Sequence, residues 1–562
     1  MRRFISSAAS AFAVLVVWQA SLLNGAEGKS PPNDVAAAAA HADNLVREAL
    51  LAEADGNAAA RGEKLRDALA IDQNSAAAHW LAGEIQIGDR WLSIDDAAQQ
   101  AAQAGKADEY RKQRDARGNT LDDHIALARL CARLGLKESE RGQLMMALQL
   151  DSSNKEAIMK LGLVHKYGQL FTPQQFESMK ATSKNASASF ARWKPTFQSL
   201  RRRYETNPGD REKLLKVVRS LQDIDAIPAM EYVFGRADGR LALAAIEALK
   251  EMSKQEATES LVRYIIFCED KEVRDSAVAA LRYRARDNFL PMMMSALKAP
   301  VQLSHSVSML IDETASNARF AQYQEGMFGD QVVFRFAAPM PISAAHYAQA
   351  RQSVVAETEQ INAVNSVRNE RLFEALASIA GEQIRDPSDW WNWWFDQNEY
   401  QPLEKTTTVK YRASCFVQGT PVWTSTGPMA IDQIKPGETV LSQNPVTGEL
   451  AYRPVLATTT RPPSPLVEVK SGAWTIRGTR GHPYWVSGEG WRMAKELKAG
   501  QMLHTVNGPV RIESAEQIGE EACYNLIVAD FNTYFVGDAK VLVHDNTLRG
   551  PNTIRVPGLV EN

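Results

Sequence analysis

Apolar residues recur at helical spacing through most of the chain, and the rhythm changes near residue 415. In Leu127-Ala128-Arg129-Leu130-Cys131-Ala132-Arg133-Leu134, and again from Leu261 to Phe267, they fall on one face of a 3.6-residue turn. Ile361, Val364, Leu372, Leu376 and Ile379 keep the same spacing, so helix is expected to about residue 382. Beyond residue 415, short runs of Val, Thr, Trp and Tyr alternate with Pro436-Gly437, Thr447-Gly448, Ser487-Gly488 and Asn507-Gly508-Pro509, which predicts many short strands. The clearest hairpin joins Asn532-Thr533-Tyr534-Phe535-Val536 to Lys540-Val541-Leu542-Val543-His544 through Gly537-Asp538. The expected fold is multidomain, an all-α helical-repeat region followed by an all-β domain.

The helical part contains two internal echoes. Ala68-Leu69-Ala70-Ile71-Asp72-Gln73-Asn74 leads to Gly83 and Gly88-Asp89-Arg90-Trp91; Ala147-Leu148-Gln149-Leu150-Asp151-Ser152-Ser153-Asn154 leads to Gly162 and Gly168-Gln169-Leu170-Phe171. This pattern resembles the tetratricopeptide repeat, with a second amphipathic helix expected after each Asp/Asn turn. Ala245-Ile246-Glu247-Ala248-Leu249 is matched by Ala277-Val278-Ala279-Ala280-Leu281, each after a charged turn, which looks like HEAT-type pairing or an irregular helical domain. Asp386-Pro387-Ser388-Asp389-Trp390-Trp391-Asn392-Trp393-Trp394-Phe395 reads as the capping end of a helical stack, with sugar or peptide stacking as the alternative. The expected segments are a signal peptide over 1–26, a tetratricopeptide-like region over 34–180, and a charged helix with HEAT-like repeats over 181–300. A helical region with the Trp-rich cap over 301–400, a linker over 401–414, the β module over 415–546 and a tail over 547–562 complete the order.

Length and composition narrow the setting. The 562 residues allow roughly three or four domains. A net charge of -3 gives no case for nucleic acid, and Arg201-Arg202-Arg203 beside Glu205 and Asp210 reads as a solvated helix face. Met1-Arg2-Arg3 followed by an apolar run to Leu23 and by Gly25-Ala26 is the pattern of a secretory signal peptide cleaved after Ala26, with an uncleaved anchor as the alternative. Export to the periplasm, the cell surface or the medium is expected, with no membrane span apart from that segment. The helical repeats imply unknown protein partners. Four cysteines, Cys131, Cys268, Cys415 and Cys523, make no disulfide framework, although a Cys415–Cys523 bond stays open, and no spacing supports a metal or another cofactor.

Cys415 opens the β region, and Thr479-Arg480-Gly481-His482 and His544-Asp545-Asn546-Thr547 follow far downstream. The segment Cys415–Asn546 resembles the Hint superfamily of inteins, hedgehog autoprocessing domains and bacterial pretoxin modules. The resemblance rests on Cys415-Phe416-Val417-Gln418-Gly419-Thr420-Pro421-Val422, on Ile434-Lys435-Pro436-Gly437-Glu438-Thr439-Val440-Leu441, and on Gly478-Thr479-Arg480-Gly481-His482-Pro483-Tyr484-Trp485-Val486. Tyr524-Asn525-Leu526-Ile527-Val528 and Thr533-Tyr534-Phe535-Val536-Gly537 complete the ordered blocks. The order of the parts also resembles exported proteins of planctomycete-type bacteria.

The resemblance implies that Cys415 attacks the Ser414 carbonyl, that His482 gives a proton to the departing amide nitrogen, and that Thr479 polarises the carbonyl. It also implies that Asn546 cyclises, releasing Thr547, with help from His544. Two departures follow, Asp545 bearing on that second step and Asn532 on thioester breakdown or the coupling of the two ends. Asp545 separates His544 from Asn546, and one inserted strand residue turns a side chain to the opposite face. Asn532 stands where many family members carry a histidine, and an amide cannot shuttle a proton. Asp530 and His504 are candidate supporting groups. Self-cleavage at Ser414–Cys415 is therefore expected ahead of full splicing; the alternatives are a binding scaffold with an inactive Hint remnant and a cysteine hydrolase acting on external substrates.

Overall fold

The computed structural model describes residues 33–235, 239–298, 319–326, 329–336, 344–398, 400–401, 411–412, 414–472, 474–545, 547 and 549–559. The expected signal peptide, residues 402–410 and 413 of the expected linker, and Asn546 lie outside these. Two compact units divide the chain: Met1–Ala188 together with Trp393–Asn562, and Ser189–Asn392. No helix among the described residues is long and apolar enough to cross a membrane.

The first unit begins with α1 (Asn33–Ala54) and α2 (Ala58–Ile71), the latter started by Asn57, whose side chain accepts from Ala60 N–H at 3.0 Å. Next come α3 (Ala76–Leu81), the hairpin β1 (Glu84–Ile87) and β2 (Arg90–Ser93), α4 (Ile94–Gln103), α5 (Lys106–Asp115), α6 (Leu121–Leu134) and α7 (Lys137–Leu150). Then follow α8 (Lys155–Lys160), the hairpin β3 (Val164–Lys166) and β4 (Gln169–Phe171), and α9 (Pro173–Thr206). The two sequence echoes thus share a structure, but not the expected second amphipathic helix. In each copy that helix spans only 6 residues and gives way to a hairpin. Gly83 and Gly162 end the helices in the left-handed region, and Gly88 and Gly168 turn the hairpins there.

The second unit holds α10 (Arg211–Arg219), α11 (Ile227–Phe234), α12 (Gly239–Glu251), α13 (Gln255–Phe267), α14 (Lys271–Leu281) and α15 (Leu290–Ser295). The matched segments at Ala245 and Ala277 lie on α12 and α14, which pack on each other through buried Ala and Leu. Between residues 301 and 400 the expectation of helix is corrected: β5 (Arg319–Gly326) pairs with β6 (Gly329–Phe336) ahead of α16 (Ala344–Ala380). Gln331-Val332-Val333-Phe334-Arg335-Phe336 is β-branched and aromatic, and glycine stands at the facing ends of both strands, as a hairpin requires. The Trp-rich run forms α17 (Pro387–Gln397), with Trp390 and Trp394 buried and Trp391 and Trp393 half-buried. The expected linker begins and ends in pairing, β7 (Tyr400–Gln401) against β8 (Tyr411–Arg412).

The β module forms one 13-stranded sheet. Its strands are β9 (Phe416–Val417), β10 (Pro421–Thr424), β11 (Gly427–Ala430), β12 (Thr439–Gln443), β13 (Leu450–Ser471), β14 (Trp474–Thr479) and β15 (Pro483–Val486). They continue with β16 (Gly490–Met493), β17 (Met502–Leu503), β18 (Val510–Arg511), β19 (Ser514–Val528), β20 (Thr533–Val536) and β21 (Val541–His544). The two long antiparallel strands, β13 and β19, run the length of the module, with register shifts around Pro462 and Pro463, residues that cannot donate to a ladder. The expected final hairpin is β20 with β21, in register from Thr533–His544 to Val536–Val541. Inward-facing residues such as Val440, Val469, Tyr484, Leu526, Val536 and Val543 fill its core.

The β module and the helices of the first unit each have a core of their own, and they also share a buried cluster. Ile85 and Ile94 pack in one buried cluster with Trp485, Phe535 and Leu542 of the module and Ile554 of the tail. The tail then enters the α1–α3 core, where Val556 and Leu559 are buried. A buried polar set crosses the same boundary: Glu53 on α1 accepts from Arg61 Nε at 2.6 Å and Ser487 Oγ at 2.9 Å, and pairs with His504 Nδ1. Gln443 Nε2 donates to Gly448 O at 3.1 Å, so its Oε1 is the atom that meets His504 Nε2 at 2.7 Å. His504, expected beside the reactive groups, instead belongs to this set. Glu438 is clamped by Arg111 and by Arg114 Nη1 at 2.6 Å.

Glycines permit the close approach. A Cβ on Gly142 would lie 2.5 Å from Pro454 Cβ, and one on Gly488 would lie 2.6 Å from the Ala54 carbonyl oxygen. Gly488 also has φ +87, in the left-handed region. Gly488→Ala is expected to cost on the order of 2–4 kcal/mol, from backbone strain plus a clash with backbone that cannot rotate away. The denaturant midpoint measures it, and an unchanged midpoint would contradict the close packing.

Candidate active site

Ser414 and Cys415 enter the sheet on β9. This strand is two residues long because Gly419, at φ +80, turns the chain, and its N–H is held by Asp432 Oδ1 at 2.8 Å. Phe416 faces Gly478 on β14 and Tyr524 on β19. A Cβ at Gly478 would come 3.1 Å from the Phe416 ring and 3.2 Å from Tyr484 Oη, so glycine lets β9 seat here without displacing these side chains. The Ser414–Cys415 peptide is thereby carried between the end of β14 and the middle of β19, with Ser414 0% and Cys415 1% exposed.

That peptide is gripped from both sides. Cys415 N–H donates to Thr479 Oγ1 at 3.0 Å, and Thr479 N–H donates back to Cys415 O at 2.9 Å. On the other side Asn525 Nδ2 donates to the Ser414 carbonyl oxygen. The Asn525 amide has a single orientation, because its Oδ1 accepts from Tyr534 Oη at 2.6 Å and from Leu526 N–H at 2.7 Å. A fixed donor on the carbonyl oxygen opposes any charge but a negative one, which is what addition to that carbonyl would create. His482 follows in the turn after β14, its N–H donating to Thr479 O at 3.0 Å. Its buried ring lies 4.0 Å from the Phe416 ring and 5.7 Å from that of Tyr484.

The thiol sits in an apolar cluster of Cys415, Val417, Leu466 and Cys523. Burial pushes the Cys415 thiol well up and the facing Cys523 adds to this, while Arg461 acts in the opposite direction. Burial likewise pushes Cys523 up to about 11. Both cysteines are free, so the Cys415–Cys523 bond left open by the sequence is not formed. Burial therefore favours the neutral thiol at Cys415.

The other end of the module converges on the same place. Tyr534 pairs with Val543 on the last strand, lies 6.3 Å from the Phe416 ring and bonds Asn525, and it is pushed well up by burial first, then by Cys415 and Asp545. Asp545 is fully buried; its Oδ2 accepts from Val528 N–H at 2.8 Å and its Oδ1 from Thr547 N–H at 2.8 Å and Thr547 Oγ1 at 2.5 Å. Burial raises its carboxyl to about 6 against the lowering effect of these bonds. His544 packs edge-on against Trp491 at 5.2 Å, with Nδ1 3.0 Å from Asp545 O. Asn532, at φ +55, supplies its backbone carbonyl to Asp545 N–H at 2.8 Å. Asp530 is drawn away, pairing with Arg141 Nη2 of α7 at 2.5 Å.

Cys415 and Thr479 thus meet at the peptide after Ser414, with Thr479 on its N–H and not on the carbonyl as the resemblance implied, while His482 packs on the Phe416 ring beside it; Thr547 is held by Asp545, and Asp530 faces α7. Sequence reasoning gave no role to Asn525 and Tyr534, and read Asp545 only as an insertion. One signal was available: Asn525 is a buried polar residue within the apolar run Cys523-Tyr524-Asn525-Leu526-Ile527-Val528 that ends β19. No group of three or more His, Cys, Asp or Glu side chains among the described residues could hold a metal ion.

Comparison with known proteins bears on the module alone. Residues 421–546 match the family described as the pretoxin HINT domain. A bacterial intein-like domain from Clostridium thermocellum is 37% identical over 23% of this chain and 98% of its own, with a TM-score of 0.23. The gp41-1 intein is 20% identical over 24% of this chain and 99% of its own, with a TM-score of 0.21. A DnaB intein from Synechocystis sp. PCC 6803 is 19% identical over 24% and 99%, with a TM-score of 0.22. No curated protein matches the chain. The chain, mostly helical in its N-terminal region, therefore carries a C-terminal Hint domain, matched by the pretoxin type over residues 421–546.

Proposed function

We propose that this is an exported helical-repeat protein whose Hint domain breaks its own backbone between Ser414 and Cys415. The observation that carries the reading is the two-sided grip on that peptide, with Asn525 on its carbonyl and Thr479 on its N–H. In the N-to-S acyl shift, Cys415 Sγ bonds to the Ser414 carbonyl carbon, the C–N bond breaks, and the thiol proton ends on the Cys415 amine. Asn525 Nδ2 stabilises the oxyanion, and the Thr479 hydroxyl, with His482, serves the departing nitrogen. Water then hydrolyses the thioester, leaving a Ser414 carboxylate and a free Cys415.

Burial argues against a hydrolase with outside substrates, because the carbonyl beside Cys415 is the chain's own. Full splicing has less support: His544 faces Trp491, and Asp545 occupies the junction. The inactive scaffold remains the second reading, favoured by the apolar setting that keeps the Cys415 thiol neutral. Hydroxylamine separates the two. It attacks a thioester but leaves the amide intact, so wild type is expected to yield two fragments faster with hydroxylamine than without. Cys415→Ala should yield none, and equal behaviour of both proteins would favour the scaffold.

A further inference from the structure

We infer that residues 33–188 form a non-covalent receptor for the Hint domain and its tail, so that rupture at Ser414–Cys415 produces a two-chain protein and releases no fragment. The inference takes the broken bond from the proposed function and the surface from packing that does not depend on it. Ile85 and Ile94 lie in the same buried cluster as Trp485 and Phe535, while Val556 and Leu559 complete the α1–α3 core. These contacts join the segment before the bond to the segments after it, and none involves Ser414 or Cys415. The fit is specific in charge as well as shape. Glu53 is fully buried against His504 and Ser487, and Glu438, itself buried, sits between Arg111 and Arg114.

Separation of the chains would expose both clusters to water and break the pairs of Glu53 with His504 and of Glu438 with Arg111 and Arg114. Cutting a connection removes only the effective concentration it supplied. The tail reports the same behaviour for the far end of the module: a break after residue 546 would also leave Val556 and Leu559 seated among α1–α3. One partner of these helices is thus a part of their own chain.

The test uses the full chain carrying Cys415→Ala, so that self-cleavage is blocked, with Lys405–Thr408 replaced by the recognition sequence of a specific protease. After external cutting, gel filtration in native buffer at micromolar concentration should keep both fragments in one peak, and denaturant should separate them. Fragments that elute apart in native buffer would overturn the inference. Adding Glu438→Ala should weaken the association on the order of 100-fold, read from a dilution series, because Arg111 and Arg114 lose their buried acceptor. An unchanged dissociation constant would overturn the assigned surface. Circular dichroism of the uncut variant checks its fold. Since the cut is made externally, a failure of self-cleavage and a failure of association are read separately.

Discussion

Asn525→Ala is expected to slow rupture of the Ser414–Cys415 bond by about 10²–10³-fold, the usual effect of removing one preorganised oxyanion donor. The argument rests on orientation. Tyr534 and Leu526 occupy Asn525 Oδ1, so Nδ2 meets the Ser414 oxygen with no other choice. The substitution leaves the Tyr534 hydroxyl and Leu526 N–H without this acceptor, so some stability should be lost too, about 1–3 kcal/mol. Comparing cleavage rates far below the unfolding midpoint of each protein separates the two effects. Tyr534→Phe should give a smaller, roughly tenfold loss, because the amide is freed to rotate but the donor remains. Equal rates for wild type and Asn525→Ala would remove this residue from the reaction.

Glu53→Ala is expected to destabilise the first unit by about 3–5 kcal/mol, because Arg61 and His504 would remain buried without their carboxylate. The pH dependence makes the cause visible. Burial acts to raise the Glu53 carboxyl, but His504, Arg61 and Ser487 together outweigh it and hold the group at about 2, against an ordinary 4.5. A depressed carboxylate contributes stability that is fully present above about pH 4.5 and is lost as pH falls toward 2. Its full size is on the order of 3 kcal/mol. Asp545 has the opposite sign: its carboxyl is raised from 3.8 to about 6, so its contribution is present below pH 3.8 and lost as pH rises through 6. The joint contribution of these two groups should be largest where the windows overlap, between pH 3.8 and 4.5. Denaturant unfolding of Glu53→Ala should lose the acid-side slope and keep the fall toward pH 6. An acid-side slope equal to that of wild type would assign it to other carboxylates.

What the sequence made legible follows from the range of each interaction. The β module was readable because its signals are local: turn glycines, alternating strands, and ordered blocks around Cys415, Thr479 and Tyr534. The β20–β21 hairpin needs only a short stretch of chain. The two helical echoes were also visible, but their hairpins were not, since Gly88 and Gly168 could equally have ended helices. Glu53 looked like any acid on an Ala-rich helix; its partner His504 lies 451 residues downstream. Asn525 grips a carbonyl 111 residues upstream, and no pattern in its own strand names that partner. Asp545 was read as an inserted obstacle to His544, whereas in the fold it is the residue that holds Thr547. The shared core escaped notice because Ile85, Trp485 and Ile554 each look like ordinary core residues of separate segments.

The most direct test of the account is the intact mass of purified wild-type protein, taken under denaturing conditions after incubation with a thiol. The account predicts two species, one ending at Ser414 and one beginning at Cys415, and a single full-length mass for Cys415→Ala. A single full-length mass for wild type under the same conditions would contradict it.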